Sequence, residues 1–156
     1  MPAFTGLGAP YWNSKSRGLI TGLTRDSDWR DLVRATIESV AYQTSDLFLS
    51  MRKDGLNPKS VKVDGGMVSN NWFVQFLSEI LKIKITRSKI NETTALGAAY
   101  MAGYQTGIYR SLSDIKQNWK KDRDFKPKFN KSYRNKLLQG WQQAIKKTLA
   151  SVSYTH

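Results

Sequence analysis

Apolar positions along the chain fall into three helical stripes and a few short extended runs. Val33, Ile37, Val40, Thr44, Leu47 and Met51 recur at spacings of 4, 3, 4, 3 and 4. That period predicts a long helix with one buried face. Asp26 or Ser27 suits its N-cap, and Asp28 and Asp31 suit the positive end of the helix dipole. Arg52 and Lys53 suit its last turn and Gly55 its end. A second stripe, Phe73, Phe76, Leu77, Ile80 and Leu81, has spacings of 3, 1, 3 and 1. A third carries Leu137, Trp141, Ala144 and Thr148, with Leu138, Ile145 and Leu149 beside them and Ser132 as the expected cap.

Between the stripes lie shorter signals. Phe4 to Trp12 holds Gly6, Gly8 and Pro10 among aromatics and reads as an irregular loop pinned by those rings. Gly18–Leu23 reads as a short strand, weakened by its glycines. Asn57-Pro58 turns the chain into a β-branched strand at Val61 and Val63, and Lys84–Arg87 makes another. Thr93 suits the cap of a helix running from about Thr94 to Thr106. Gly97 and Gly103 inside it cost about 1 kcal/mol each against alanine. Close packing is the usual compensation, so this small-residue helix should lie tightly against something. Ser111 to Trp119 reads as a short helix, and lysine-rich Lys120 to Lys131 as a linker. Helix, strand, helix, strand, helix is the order of an α/β fold, with the two strands parallel across a right-handed crossover.

The stretch with most chemical content follows the Val61–Val63 strand. Asp64-Gly65-Gly66 leads through Ser69, Asn70 and Asn71 into the second stripe. Paired glycines let the backbone turn sharply and let a ligand approach it. Ser69 or Asn70 can cap the helix, and the free N–H groups of a helix start suit a phosphate or another polar ligand atom. A plain βα turn with no ligand is the alternative reading of these residues. Asp64, Glu38 and Glu92 are the carboxylates considered as bases, and each has a structural use as well: a turn, a pairing, a cap.

Composition narrows the field. The chain has 156 residues, enough for one domain with a core. It holds no run of eighteen apolar residues, and Met1–Gly6 lacks the basic start and apolar core of a secretory signal. Cysteine is absent, which removes thiolate metal sites and disulfides. The single histidine is His156, read as a tail residue, so neither a histidine zinc site nor a nucleophile–histidine pair is expected. No G-x-x-x-x-G-K-[ST], G-x-G-x-x-G or G-x-S-x-G motif is present. The net charge is +13, and from Ser111 onward eleven Lys and Arg face three Asp. The lysines are spread out and do not alternate with aromatics, so they read as a solvated face rather than a nucleic-acid groove.

Three blocks then carry a resemblance. Phe4–Trp12 followed by Arg17–Thr24, the run from Gly18 to Glu38, and Val63-Asp64-Gly65-Gly66 with Asn70 ahead of Thr93–Gly103 together resemble the second lobe of the FGGY family of carbohydrate kinases. The likeness runs from Pro2 to about Ala150, loosely over the last forty residues. The first block favours the glycerol-phosphorylating branch. The resemblance implies a partial ribonuclease-H-like, actin-like ATPase domain over residues 1–110, its leading strands missing, and a C-terminal helical tail over 111–156. It implies that Gly65, Gly66 and Asn70 form a nucleotide-binding turn on the adenosine side of a cleft, with the helix at Thr94 packed behind it. It implies ATP and Mg²⁺ as cofactors, glycerol as substrate, a cytoplasmic location and a homo-oligomer for the complete enzyme.

Family chains are much longer. The first lobe, with its phosphate loop, glycerol contacts and general base, has no counterpart here, nor do the second phosphate loop and the first strands of the second lobe. This chain is therefore expected to hold no catalytic residue, substrate contact or metal ligand, and to be inactive and marginally stable unless a companion N-terminal fragment completes it. A fragment of another FGGY sugar kinase and a basic nucleic-acid- or partner-binding module are the alternatives. Membrane association is not expected.

Overall fold

The computed structural model describes residues 1–90 and 92–151. The chain divides into two compact units, one of Met1–Asn57, Glu79–Lys82 and the chain from Lys128, the other of Pro58–Ser78 and Ile83–Pro127.

The second unit holds a three-stranded sheet. β1 (Ser60–Val63) pairs parallel with β2 (Lys84–Ser88), and β2 pairs antiparallel with β3 (Lys121–Phe125), in the order β1-β2-β3. The parallel pair matches the expected crossover. β3 corrects the sequence reading, which made this segment a linker. Its residues, Lys-Asp-Arg-Asp-Phe, carry almost no apolar pattern. They pair through polar cross-strand bonds: Thr86 Oγ1 donates to Asp124 at 2.7 Å, and Arg87 Nε donates to Asp122 at 2.7 Å. Such non-local pairs are invisible to a period-2 rule. A 3₁₀ turn, Gly66–Ser69, leads into the helix that carries the second stripe, Asn71–Leu81. Phe73, Phe76 and Leu77 of that stripe are buried as predicted, with Ile83, Ile85 and Phe125 also in this unit's core. Ser78 Oγ, fully buried, is near both the Ile83 carbonyl (2.8 Å) and the Phe125 carbonyl (3.2 Å), tying the helix to one strand end of each neighbour.

Two further helices belong to this unit, Thr93–Gln105 and Leu112–Gln117. Ser111 and Asp114 make a capping box at the start of the shorter one. Thr93 is the first residue of the longer helix rather than its cap; Glu92 holds that position without a side-chain bond. The small-residue helix also departs from expectation. Of its small residues only Gly103 is buried, where an added Cβ would sit 2.8 Å from the Tyr109 ring, while nothing lies within 4 Å of one at Gly97. Ala95, Ala98, Ala99 and Ala102 are exposed.

The first unit is built on two long helices, Trp29–Lys53 and Lys131–Ser151. The first is capped by Asp28, not Asp26 or Ser27, in a capping box with Asp31. Its predicted stripe is not its buried face. Val33 is 50% exposed and Leu47 44%. The buried positions are Ser39, Ala41, Tyr42, Ser45, Asp46 and Phe48. Trp141 explains the choice: its ring stacks on Tyr42 at 5.4 Å and its Nε1 donates to Asp46 at 2.6 Å. Asn130 Oδ1, not Ser132, caps the last helix by accepting from the Tyr133 amide at 2.9 Å. Trp141, Ile145 and Thr148 of the third stripe are buried.

The N-terminal loop is pinned by backbone pairing and by Tyr11, which hydrogen-bonds Asp46, while Phe4 and Trp12 are exposed. Leu7 and Asn13 exchange two backbone hydrogen bonds (2.7 and 2.9 Å), and Gly6, at φ +99°, packs where a Cβ would meet the Asn13 carbonyl. Gly18–Leu23 forms no strand. Leu19 pairs only with Met1, and a strand needs a neighbouring ladder that the described residues do not provide.

Candidate functional site

Asp64, Gly65, Gly66 and Asn70 come together in one turn between β1 and the Asn71–Leu81 helix. Gly65 has φ 91° and ψ 173°, a region that side chains resist. Gly66 lies outside the left-handed region, and a Cβ built on it meets nothing within 4 Å. One glycine is thus demanded by the backbone and the other leaves an open face.

Asn70 closes the turn. Its backbone is extended (φ −75°, ψ 105°), and its Oδ1 accepts from the Trp72 amide at 3.0 Å and the Phe73 amide at 3.2 Å. Of the two expected caps, Asn70 does the capping, while Ser69 Oγ bonds back to the Gly66 carbonyl at 2.7 Å. With Oδ1 used twice, the Nδ2 amide is the polar group of Asn70 left to meet a ligand.

Two of the three carboxylates, Asp64 and Glu38, are spent on structure. Asp64 accepts a hydrogen bond from the Thr93 hydroxyl, joining the end of β1 to the start of the small-residue helix. Glu38 takes Arg34 Nε at 2.7 Å and the Tyr42 hydroxyl at 3.0 Å. Arg34 is raised above its ordinary value by that bond and charge, and burial beside Glu38 raises the Tyr42 phenol well above its usual range. Glu92 makes no capping bond. His156 lies outside the described residues. Among the described residues no three of His, Cys, Asp and Glu group to hold a metal ion.

Sequence reasoning missed Arg87. Its Nη1 donates to the Val68 carbonyl at 2.7 Å and the Ser69 carbonyl at 3.3 Å, both in the turn, and its Nη2 pairs with Asp122 at 2.6 Å. Alternation along β2 held a signal for it. Arg87 shares a face with fully buried Ile85, and a cation on an apolar strand face needs a partner. A second concavity, of about 380 Å³, is lined by Leu7, Gly8, Tyr11, Val40, Thr44 and Asp46, among others. Burial pushes the Asp46 carboxyl up, against hydrogen bonds from Trp141, Tyr11 and Gln142 that pull it down. Burial and Asp46 together push the Tyr11 phenol up to about 12.

A parallel strand ending in a glycine turn at a helix start, within an α/β unit, is a place where nucleotide sites are found and where plain βα turns also occur. The chain belongs to the FGGY family of carbohydrate kinases: the model of the family's C-terminal domain matches residues 1–106. It is 51% identical over 147 residues to glycerol kinase 1 of Pseudomonas aeruginosa, covering 94% of this chain and 30% of that one. It is 52% identical over 145 residues to glycerol kinase of Marinomonas sp., covering 93% of this chain and 29% of that one. Among solved structures, Plasmodium falciparum glycerol kinase with ADP superposes with a TM-score of 0.82 at 38% identity, covering 95% of this chain and 30% of that one. The chain therefore spans about 30% of the length of the curated relatives it matches, and its α/β fold is part of the actin-like ATPase fold of these kinases.

The residues fit a nucleotide: an open glycine face, a free amide donor and a helix start converge on one turn. Mg²⁺ would be held mainly by nucleotide phosphates with one or two carboxylates, and the carboxylate at this turn, Asp64, already accepts from Thr93. Among the described residues no helix is long and apolar enough to cross a membrane.

Proposed function

We propose that the Asp64–Asn70 turn is the adenosine-side wall of an ATP/ADP site, and that this chain contributes it to ATP-dependent phosphorylation of glycerol to glycerol 3-phosphate. The observation that carries this is the pairing of the open Gly66 face with an Asn70 whose Oδ1 is held by the helix cap, leaving Nδ2 for the ligand. Gly66 gives backbone approach, Asn70 donates, and Gly65 sets the turn. Similarity near 50% to glycerol kinases, beside 23% to a xylulose kinase and a gluconate kinase of known structure, favours glycerol.

Phosphoryl transfer also needs positioned phosphates, Mg²⁺ and an oriented hydroxyl. In this reading those come from the portion of the relatives' length that this chain does not span, either ahead of it or on a companion N-terminal polypeptide. Residues 1–110 then act as the incomplete nucleotide lobe, and 111–156 as an extension that adds β3 to its sheet before the last helix. The chain alone is inactive, and the complete enzyme is a cytoplasmic homo-oligomer. The exposed stripe at Val33 and Leu47 is a face such a companion would cover.

Calorimetric titration with ADP tests the site. Wild type binds and Gly66→Val does not, because the valine side chain occupies the ligand's approach while meeting nothing within 4 Å in the free turn at its Cβ. Equal binding by both proteins removes the assignment.

A further inference from the structure

We infer that Arg87 is a positioning residue for the Gly65–Asn70 turn, held in place by a bulged Asp122. This deepens, and rests on, the nucleotide reading above.

The argument starts from the carbonyls of the turn. Those of Gly65, Gly66, Met67 and Asn70 accept locally, from the Val68 amide, the Ser69 hydroxyl, the Asn70 amide and the Val74 amide. The carbonyls of Val68 and Ser69 instead accept from Arg87, nineteen and eighteen residues away. Val68 is buried, so its carbonyl requires a partner. The last two peptide units before Asn70 therefore take their orientation from a side chain on β2.

That side chain is fixed in turn. Strand register places Arg87 opposite Arg123 but Ser88 opposite Lys121, so Asp122 is an extra residue in β3. A bulge of this kind re-aims a side chain. Here it brings Asp122 Oδ2 within 2.7 Å of Arg87 Nε and 2.6 Å of Nη2. The guanidinium also lies 5.4 Å from the Phe125 ring centroid, and its side chain is only 13% exposed. Arg87 and Arg123 stand opposite each other in the ladder, and Asp122 relieves the like-charge pairing. The planar fork thus spans β3 on one side and the turn on the other, which a lysine's single ammonium cannot do.

The test compares four variants in the full chain by two readouts, calorimetric ADP affinity and amide hydrogen exchange over residues 66–70. Arg87→Met and Arg87→Lys are expected to weaken ADP by about tenfold and to speed exchange in the turn by a similar factor, as loss of a charge-assisted hydrogen bond does. Asp122→Asn keeps an acceptor oxygen and is expected to lose only about threefold. Thr86→Val breaks the neighbouring cross-strand bond to Asp124. It is expected to lower the melting temperature while leaving both readouts within about twofold, because it touches the same strand pair but not the turn. Wild-type exchange in Arg87→Met, or Thr86→Val reproducing its effects, overturns the inference. Absence of ADP binding by wild type overturns the nucleotide reading alone, and exchange in the turn then decides whether Arg87 holds it.

Discussion

In the proposed site Asn70 has two roles, and substitutions can separate them. Its Oδ1 satisfies the amides of Trp72 and Phe73 at 3.0 and 3.2 Å, in the first turn of the Asn71–Leu81 helix. Asn70→Ala removes both bonds and costs about 1 kcal/mol, the usual price of a lost N-cap. Asn70→Asp keeps the acceptor, and its carboxylate at the helix start contributes about 0.3–1 kcal/mol in its favour. Thermal unfolding should therefore place Asn70→Asp about 1–3 °C above wild type and Asn70→Ala about 3 °C below it. Affinity for ADP should fall in another order. Alanine loses one neutral hydrogen bond from Nδ2, about 1 kcal/mol or roughly fivefold. Aspartate loses the same donor and sets a negative charge beside an anionic ligand, for a loss beyond about tenfold. The crossed ranking is the signature: aspartate best for the helix, worst for the nucleotide. If Asn70→Asp binds ADP as wild type does, Nδ2 is not the contact. If Asn70→Ala melts with wild type, the cap is not holding the helix.

The two adjacent glycines should respond differently to alanine. Gly65→Ala forces a side chain to φ 91° and should cost about 1–3 kcal/mol in urea unfolding, whereas Gly66→Ala should stay within about 0.5 kcal/mol; equal losses would contradict the geometry. Asp46 predicts a pH effect. Its carboxyl is raised above 3.8 in the folded state, chiefly by burial. The folded protein therefore holds that proton more tightly than the unfolded chain, and the resulting stability is present below pH 3.8 and fades as pH rises through the raised value. Asp46→Asn should flatten that decline in a series of melts from acid to neutral pH; an unchanged slope would exclude Asp46 as its source.

How much of this was legible in sequence depends on whether the information was local. The Asp64–Asn70 turn and the Phe73–Leu81 stripe were, because glycine, cap and period all act within a few residues. The first helix was located correctly, but its buried face was not. A periodicity count weighs Val33 and Leu47 above Ser39, Ser45 and Asp46, and cannot know that Trp141 supplies an indole N–H to the polar side. β3 was missed for a related reason: Asp122 and Asp124 take hydrogen bonds from β2 side chains some 35 residues distant, and no apolar alternation marks the strand. The small-residue helix was legible as an element, while its exposed alanines show that composition does not by itself supply a packing partner. In the turn, the positions of Gly65, Gly66 and Asn70 were readable; for Arg87 the alternation along β2 marked a cation in need of a partner, but not which backbone carbonyls supply it.

The double use proposed for Asn70 has a consequence for which amino acids that position can hold. Helix starts accept asparagine, aspartate, serine, threonine and glycine. An amide donor at the same point restricts the choice to asparagine and glutamine. Glutamine is outside the first set, and the others are outside the second. Two ordinary requirements, each permissive alone, thus intersect in a single residue type, and the alphabet available at Asn70 shrinks to one letter.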